Sequence, residues 1–197
     1  MKFTTIGKIA GTLALTLSLA ACIDMTQDIK VTSATTATAT VTTTMGAEIY
    51  PMLKAGAAGD DAKPFCKADG ETLTENADGS ATCVAVSDGA FADLKFDDDN
   101  GSSKPTFTAN PDGTVRVSIK TAGMVGDLGK ESDPQAKAMI EQMFKDRYLT
   151  LRFGGSSIVD TNMDDAGGGY AEKKMAFLEL INGTIELPEE LYAVVQP

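Results

Sequence analysis

The N-terminal stretch up to Cys22 limits what the chain can fold into more than any other feature. Lys2 and Lys8 make the start of the chain basic. Residues 9–19 are mostly apolar, and small residues then lead directly to the cysteine. This is the layout of a bacterial secretory signal. The apolar run is too short for the roughly 20 residues that span a bilayer, so a retained transmembrane anchor is the poorer interpretation. The folded domain must therefore form from the residues after this stretch, outside the cytoplasm.

The cysteine makes the processing site more specific. Leu19, Ala20, Ala21 and Cys22 resemble a lipobox, the recognition site of the lipoprotein signal peptidase. This resemblance implies that residues 1–21 are removed and that acyl chains such as palmitate are attached to Cys22. Each buried methylene adds about 0.8 kcal/mol, so several chains together hold a domain at a membrane. The alternative is an ordinary cleaved signal in which the cysteine stands by chance.

The charge of the chain limits its partners. There are 17 basic and 28 acidic residues, and the net charge is −11. Nucleic acid and anionic headgroups carry the same sign of charge and are repelled. We therefore expect no nucleic-acid partner, and we expect the domain to stand off the membrane with only its lipid inserted. Ile23 rather than an aspartate follows Cys22, which by analogy favours the outer membrane over the inner one, on the periplasmic side of the cell envelope.

Two further cysteines agree with export. Cys66 and Cys83 form an even pair once Cys22 is lipidated, and such a pair in an exported chain predicts one disulfide. In the chain-entropy model, closing this loop stabilises the fold by about 3 kcal/mol. A metal site is the weaker alternative, because the sequence has no histidine and no CxxC motif. We expect neither a metal nor a cofactor.

Turn signals and alternating β-branched residues predict strands over much of the chain. Residues 25–45 are rich in Thr, Val and Ile and predict a hairpin that turns near residues 33–35, with a flexible Thr/Ala linker as the alternative. Other strands are expected at residues 71–75 and 80–86, 104–109 and 114–120, 148–153 and 157–160, and 174–180 and 184–187. The last pair is predicted to turn at Asn182-Gly183, the strongest two-residue hairpin signal. Residues 164–169 are expected to be a loop tip, and Pro188 is expected to end the last strand.

Helical patterns are fewer. Ile49, Met52 and Leu53 stand at i, i+3 and i+4 and predict a short helix within residues 46–58, and residues 87–88 are expected to cap a single helical turn over residues 90–94. The main helix is predicted over residues 134–148, with Asp133 as N-cap and Pro134 at its first position. The fold class is therefore α+β. Residues 22–197 are expected to form one domain, in which a curved antiparallel sheet built from hairpins packs against one main helix and one or two short helices.

The apolar stripe of the main helix is the candidate ligand-binding surface. Ala138, Met139, Met143, Phe144 and Tyr148 recur at helical spacing. Because Met adapts to irregular surfaces, Met139, Met143 and Phe144 could bind a hydrophobic ligand in a groove between the helix and the sheet. The alternative is that the stripe is simply part of the core.

Catalytic patterns are absent from the sequence. With no histidine and no free thiol, neither a Ser-His-Asp nor a Cys-His arrangement can form. Residues 97–101 (Asp-Asp-Asp-Asn-Gly) do not follow the calcium-loop pattern, because Phe96 and Phe107 stand where ligands are required. This stretch is better interpreted as a solvated acidic turn. We expect no catalytic residues and no enzyme activity.

Residues 149–162 carry a resemblance to a known family. They read Leu-Thr-Leu-Arg-Phe-Gly-Gly-Ser-Ser-Ile-Val-Asp-Thr-Asn, a strand, a glycine turn and a second strand that ends in Asn. With the order of parts before it, this segment resembles the LppM-like domain family of bacterial lipoproteins, whose members begin just after the lipidated cysteine with a β-hairpin and a helix. The resemblance implies an α+β fold and an envelope lipoprotein that binds lipid or another amphiphile. It implies no catalytic residues.

Two functions are expected on these grounds. The first is a non-enzymatic, membrane-anchored lipoprotein that binds a lipid or another hydrophobic ligand, which requires an apolar cavity of roughly 300 Å³ or more. The second is a structural or assembly module that acts through contacts with other envelope proteins. It requires an exposed apolar patch or an unpaired sheet edge.

Overall fold

The computed structural model describes residues 23–56, 65–66, 70–96, 104–124 and 133–197. Cys22, the signal segment and the acidic stretch at residues 97–101 lie outside the described residues. Within them the elements are β1 (Ile23–Val31), β2 (Thr36–Met45), α1 (Tyr50–Gly56), β3 (Glu71–Glu75), β4 (Ala81–Ala90), β5 (Thr106–Ala109), β6 (Val115–Lys120), α2 (Pro134–Phe144), β7 (Tyr148–Gly154), β8 (Ser157–Thr161), β9 (Asp164–Gly167), β10 (Tyr170–Ala176), α3 (Phe177–Asn182) and β11 (Glu190–Gln196).

The strands form two sheets, and the predicted α+β class is confirmed. The large sheet has the order β3-β4-β2-β1-β7-β10-β9, and the small sheet has the order β5-β6-β11-β8. Neighbouring strands are antiparallel except for β1 and β7, which run parallel. The hairpins predicted at residues 25–45, 71–86 and 104–120 are all present.

The core lies between the two sheets. Strand alternation gives the large sheet an inner face, the side that carries Ile29, Ala39 and Phe153, and an outer face that carries polar residues. The side chains that face this core from the small sheet are almost fully buried: Val115, Val117, Ile119, Leu191, Ala193 and Val195. The small sheet therefore covers much of the inner face, where the sequence predicts a main helix.

Two of the hairpins use the same turn. In residues 76–80 (Asn-Ala-Asp-Gly-Ser) and 110–114 (Asn-Pro-Asp-Gly-Thr), glycine takes a positive φ, 88° at Gly79 and 85° at Gly113. The Asp78 carboxylate accepts hydrogen bonds from the backbone N–H of Ser80 (3.0 Å) and from its hydroxyl (2.6 Å). Asp112 accepts the equivalent pair from Thr114, at 3.0 and 2.7 Å. This local chemistry explains why both hairpins could be predicted from sequence.

These turns should make stability sensitive to acid. The hydroxyl and then the backbone N–H of Ser80 and Thr114 hold the pKa of Asp78 and Asp112 below the ordinary value of 3.8. Because the pKa is lowered in the folded state, the ionised carboxylates stabilise the fold above pH 3.8. This stabilisation is lost as the pH falls through the folded pKa. We expect the D78N/D112N variant, whose amide oxygens still accept hydrogen bonds, to lose less stability than the wild type when thermal unfolding is followed from about pH 6 to about pH 2. An equal fall of the unfolding temperature with pH in the two proteins would contradict this role of Asp78 and Asp112.

The region after β10 differs from the prediction. A hairpin was expected around Asn182-Gly183, but α3 occupies residues 177–182 and residues 184–189 form no strand. Gly183 ends α3 with a φ of 65°, and backbone N–H groups at this cap donate to the carbonyl oxygens of Glu179 and Leu180. A type I′ turn and a left-handed helix cap both need a positive φ, so the same dipeptide suits either structure.

The strand β11 was not predicted, and the prediction that Pro188 ends the last strand was wrong. Leu191, Ala193 and Val195 alternate along β11 and are fully buried, and the strand pairs with both β6 and β8. The alternation of Leu, Ala and Val in residues 191–195 was the signal for this strand.

Two shorter predictions were also wrong. Ser87 and Asp88 continue β4 rather than cap a helical turn, and the Ser87 hydroxyl oxygen accepts the backbone N–H of Lys95 at 3.1 Å. Residues 164–167 form β9, which pairs with β10, rather than the first part of a loop tip.

The main helix begins as predicted and ends earlier. Asp133 is the N-cap, and its side chain accepts the backbone N–H of Gln135 at 2.9 Å, with Pro134 at the first position. The helix ends at Phe144, and Tyr148 is the first residue of β7. Because the two sheets pack on each other, α2 lies outside the main core cluster, and its Phe144 ring contacts Phe177 of α3 at 5.4 Å between centroids.

Candidate ligand-binding site

The residues predicted to bind ligand lie on the main helix α2. Met143 and Phe144 are half-buried near the end of the helix, and the placement of the Met139 side chain lies outside what the structure describes. Phe144 packs on α3 rather than across the inner face of the large sheet. The structure does not test whether this stripe binds a ligand, so that interpretation stays a prediction.

A cavity of about 590 Å³ lies instead at the β3 side of the large sheet. It is bounded by β2, by β4, by the start of β3 and by the segment after β4. Its lining residues are Ala39, Val41, Gly70, Glu71, Ala85, Val86, Ser87, Asp88, Asp93 and Lys95. Sequence reasoning missed this site, because its residues come from segments far apart in the chain and share no local motif.

The floor of the cavity is made of small apolar residues held in register. Val41 pairs with Ala85, and Ala85 pairs in turn with Glu71, so one row of the sheet crosses β2, β4 and β3. Ala39 pairs with Ser87 in the next row on the same face. Ala39 also belongs to the main core cluster, and it is 2% exposed, so the cavity begins where core packing ends. Space remains there because alanines stand where larger side chains would fill the face.

The rim of the cavity is charged. Glu71, Asp88, Asp93 and Lys95 line it together with the apolar floor. The hydrogen bond from the Lys95 backbone N–H to Ser87 ties the segment after β4 to the sheet and so fixes one wall. An apolar floor with a few charged groups at the opening suits a molecule that has an apolar part and a polar head.

The predicted disulfide is present beside this site. Cys66 and Cys83 are bonded, with their Cα atoms 5.5 Å apart. Their sulfur atoms and a carboxylate oxygen of Glu71 all lie within 4.8 Å of one another. A metal would need thiolates here, and two sulfurs bonded to each other offer none. The disulfide therefore serves as a covalent brace that holds residues 65–66 against β4.

A charged cluster on the outer face of the large sheet contains two groups with shifted pKa values. Arg152 on β7 lies 3.0 Å from the Asp28 carboxylate on β1 and 3.3 Å from that of Glu172 on β10, and its guanidinium lies 4.6 Å from the centre of the Tyr170 ring. Burial raises the pKa of Asp28 against the opposing effect of Arg152, and burial also raises the pKa of Tyr170. The cluster joins three adjacent strands.

Gly154 explains the position of the aromatic ring in that cluster. A Cβ atom at Gly154 would lie 2.4 Å from the Tyr170 ring, so the ring covers the glycine directly opposite it in the sheet. The charged side chains of the cluster pair with one another, and none of them lines the cavity on β2, β3 and β4. We therefore interpret the cluster as a structural brace rather than as a reactive site.

Comparisons with known proteins give one structural match. No protein-family model matches the chain, and no curated protein matches it. The chain is similar to the NMR structure of the folded domain of LppM from Mycobacterium tuberculosis, with a TM-score of 0.48 and 13% sequence identity over 88% of this chain and 89% of that one. The similarity concerns the course of the chain, and it assigns neither a ligand nor site residues.

The three helices of the described residues are short. None of α1, α2 and α3 combines the length and the hydropathy that a membrane-spanning helix needs.

Proposed function

We propose that this protein is a non-enzymatic lipoprotein of the cell envelope whose domain binds one lipid or similar amphiphile in the cavity on β2, β3 and β4. The observation that carries the proposal is the cavity itself. Its volume of about 590 Å³ falls in the range of ligand sites, roughly 300–1,000 Å³, and it joins a floor of Ala39, Val41 and Ala85 to a charged rim. The described residues that line the proposed site include none from α2.

Anchoring rests on the N-terminal sequence. The secretory layout and the Leu-Ala-Ala-Cys tetrad support removal of residues 1–21 and lipidation of Cys22, which would make residues 22–197 one tethered domain. The Cys66–Cys83 disulfide fits an oxidising compartment such as the periplasm. Ile23 after the lipidated cysteine favours the outer membrane, again by analogy.

The edges of the large sheet favour ligand binding over assembly by strand addition. In the described residues, β3 and β9 are the outermost strands. Glu71 and Glu75 stand at the two ends of β3, and Asp164 and Asp165 open β9. Charges on edge strands discourage pairing with another chain. An assembly module remains the alternative, since Val86 is 52% exposed beside the β3 edge.

Native mass spectrometry of the mature protein, released from gentle detergent, tests the proposal. A denaturing spectrum reports the acyl chains on Cys22, and the native spectrum should show a further non-covalent adduct of lipid mass. We expect A85F, which fills the cavity floor, to lower adduct occupancy about tenfold or more, equivalent to about 1.4 kcal/mol. V84F, one residue earlier and on the opposite face of β4, is the matched control and should keep the adduct.

Each other result has a distinct meaning. An adduct that A85F keeps and that M143A/F144A loses would place the ligand on α2 and contradict the cavity as the site. A wild-type protein with no adduct, even after lipid extract is added, would contradict ligand binding altogether and favour the assembly module.

A further inference from the structure

The short helix α1 exposes apolar residues to an unusual degree. Pro51, Met52, Leu53 and Ala55 are all exposed, Met52 to 66% and Leu53 to 44%. The apolar stripe that predicted this helix is therefore only partly buried, since Ile49 packs against a small apolar cluster while Met52 and Leu53 are exposed. Lys54 is the one charged residue among residues 50–56. A surface of this kind on an acidic chain points to a partner that is itself apolar.

The position of α1 indicates which partner. Ile23, the residue after the lipidated cysteine, pairs with Met45, the last residue of β2. Met45 forms a small cluster with Tyr50 of α1 and with Ala81, and Ile23 and Ile49 pack against it. Ile23, one position after the proposed attachment point of the lipid, and the root of α1 therefore belong to one packed unit at the same end of the large sheet.

We infer that α1 docks on the lipid surface that holds Cys22, with Met52 and Leu53 inserted among the headgroups and the first part of the acyl chains. This inference rests on the anchoring part of the proposed function. It revises the expectation that only the lipid is inserted: the acidic domain stands off the membrane except at this end. A short apolar segment next to an acyl anchor buries further apolar area in the same lipid surface, and so strengthens the attachment that the acyl chains provide.

The charges around α1 indicate that docking is apolar rather than electrostatic. Lys54 forms an ion pair with Glu75 at 2.6 Å, so its charge is already compensated within the protein. The Tyr50 hydroxyl donates to the same carboxylate, which holds α1 against the end of β3. With a net charge of −11 on the whole chain, no attraction to anionic headgroups is needed or expected. Zwitterionic vesicles are therefore a suitable surface for the test.

Tryptophan fluorescence offers a direct experiment, because the sequence contains no Trp. The mature lipidated M52W protein is reconstituted into phosphatidylcholine vesicles with or without brominated acyl chains, which quench only an inserted indole. L53W is a second reporter. V159W is the matched control, since Val159 is similarly exposed, at 59%, on β8 of the small sheet. We expect M52W and L53W to lose most of their emission in brominated vesicles and to shift to shorter wavelength, while V159W is unchanged.

The outcomes separate docking from anchoring. Acyl chains on Cys22 by mass spectrometry together with unquenched M52W and L53W would overturn docking and leave anchoring intact. Equal quenching of V159W would overturn docking through α1, since the whole domain would then lie on the bilayer. A protein without acyl chains on Cys22 would overturn the anchoring proposal and this inference with it.

Discussion

Replacing Phe153 with alanine should lower the free energy of unfolding by about 3–5 kcal/mol. Phe153 is 0% exposed and lies on the inner face of the large sheet, in register with Ile29 of β1 and Ala171 of β10. Removing the ring takes apolar area out of the core and leaves a cavity, because the sheet backbone on either side prevents the site from collapsing. Urea unfolding should show a lower midpoint with an unchanged slope.

The control for this prediction is V159A. Val159 is 59% exposed on β8, so its truncation should change stability by no more than about 0.5 kcal/mol. A loss below about 1 kcal/mol for F153A would contradict the central result of the fold, namely that the two sheets share one core at this position.

Removing the disulfide should have the next largest effect. We expect the C66A/C83A variant to lose about 3 kcal/mol of stability, because the bond joins residues separated by 17 positions and restricts the unfolded chain. Removing the bond should also loosen the structure around α1. The ring of Phe65, next to Cys66, lies 6.1 Å from the ring of Tyr50, so the bond holds part of the cluster that supports α1.

Two measurements check the disulfide prediction. Chemical unfolding of the double variant should match that of the wild type kept in a reducing agent, since both lack the same bond. The second measurement uses the M52W protein in vesicles and a quencher dissolved in the water. We expect the M52W/C66A/C83A protein to be quenched more than M52W alone, because α1 loses its support. A double variant as stable as the oxidised wild type would show that the bond is not a brace.

Local chemistry explains the parts of the fold that could be predicted. The two Asn-x-Asp-Gly turns close through hydrogen bonds within five consecutive residues, and the Asp133 cap bonds to Gln135, two positions away. The disulfide could be predicted because Cys66 and Cys83 are the two cysteines left when Cys22 is assigned to the predicted lipidation. In each case the partners lie close in sequence or admit one pairing, so no knowledge of the tertiary structure is needed.

The error at Asn182-Gly183 has a structural cause. The last pair of β10 with β7 joins Ala176 to Tyr148, and Tyr148 is the first residue of β7. Beyond Ala176 the chain has no strand to pair with on that side, and the Phe177 N–H donates to the carbonyl of Arg147 instead. Residues 177–182 then satisfy their backbone groups as a helix. The glycine dipeptide tolerates both outcomes, and the length of the neighbouring strand decides between them.

The cavity escaped prediction for a related reason. Periodicity identifies the apolar face of α2, but it does not say what covers that face or the sheet. β11, at the end of the chain, pairs with β6 and β8 and completes the small sheet that covers the inner face. The cavity then lies where this cover ends, near Ala39 and Ala85, and both residues are ordinary alanines in the sequence.

The sequence by itself determined the disulfide, three β-hairpins with their turns, the start of the main helix and the α+β class, because each depends on local patterns or on a single possible pairing. Only the tertiary structure decided the parallel pairing of β1 with β7, the division into two sheets and the place of the cavity. Gly155 shows the difference: a Cβ atom there would lie 2.1 Å from the carbonyl oxygen of Gln196, so it must be glycine for a contact with a strand 41 residues away. Such contacts depend on which distant segments meet, and local sequence patterns do not carry that information.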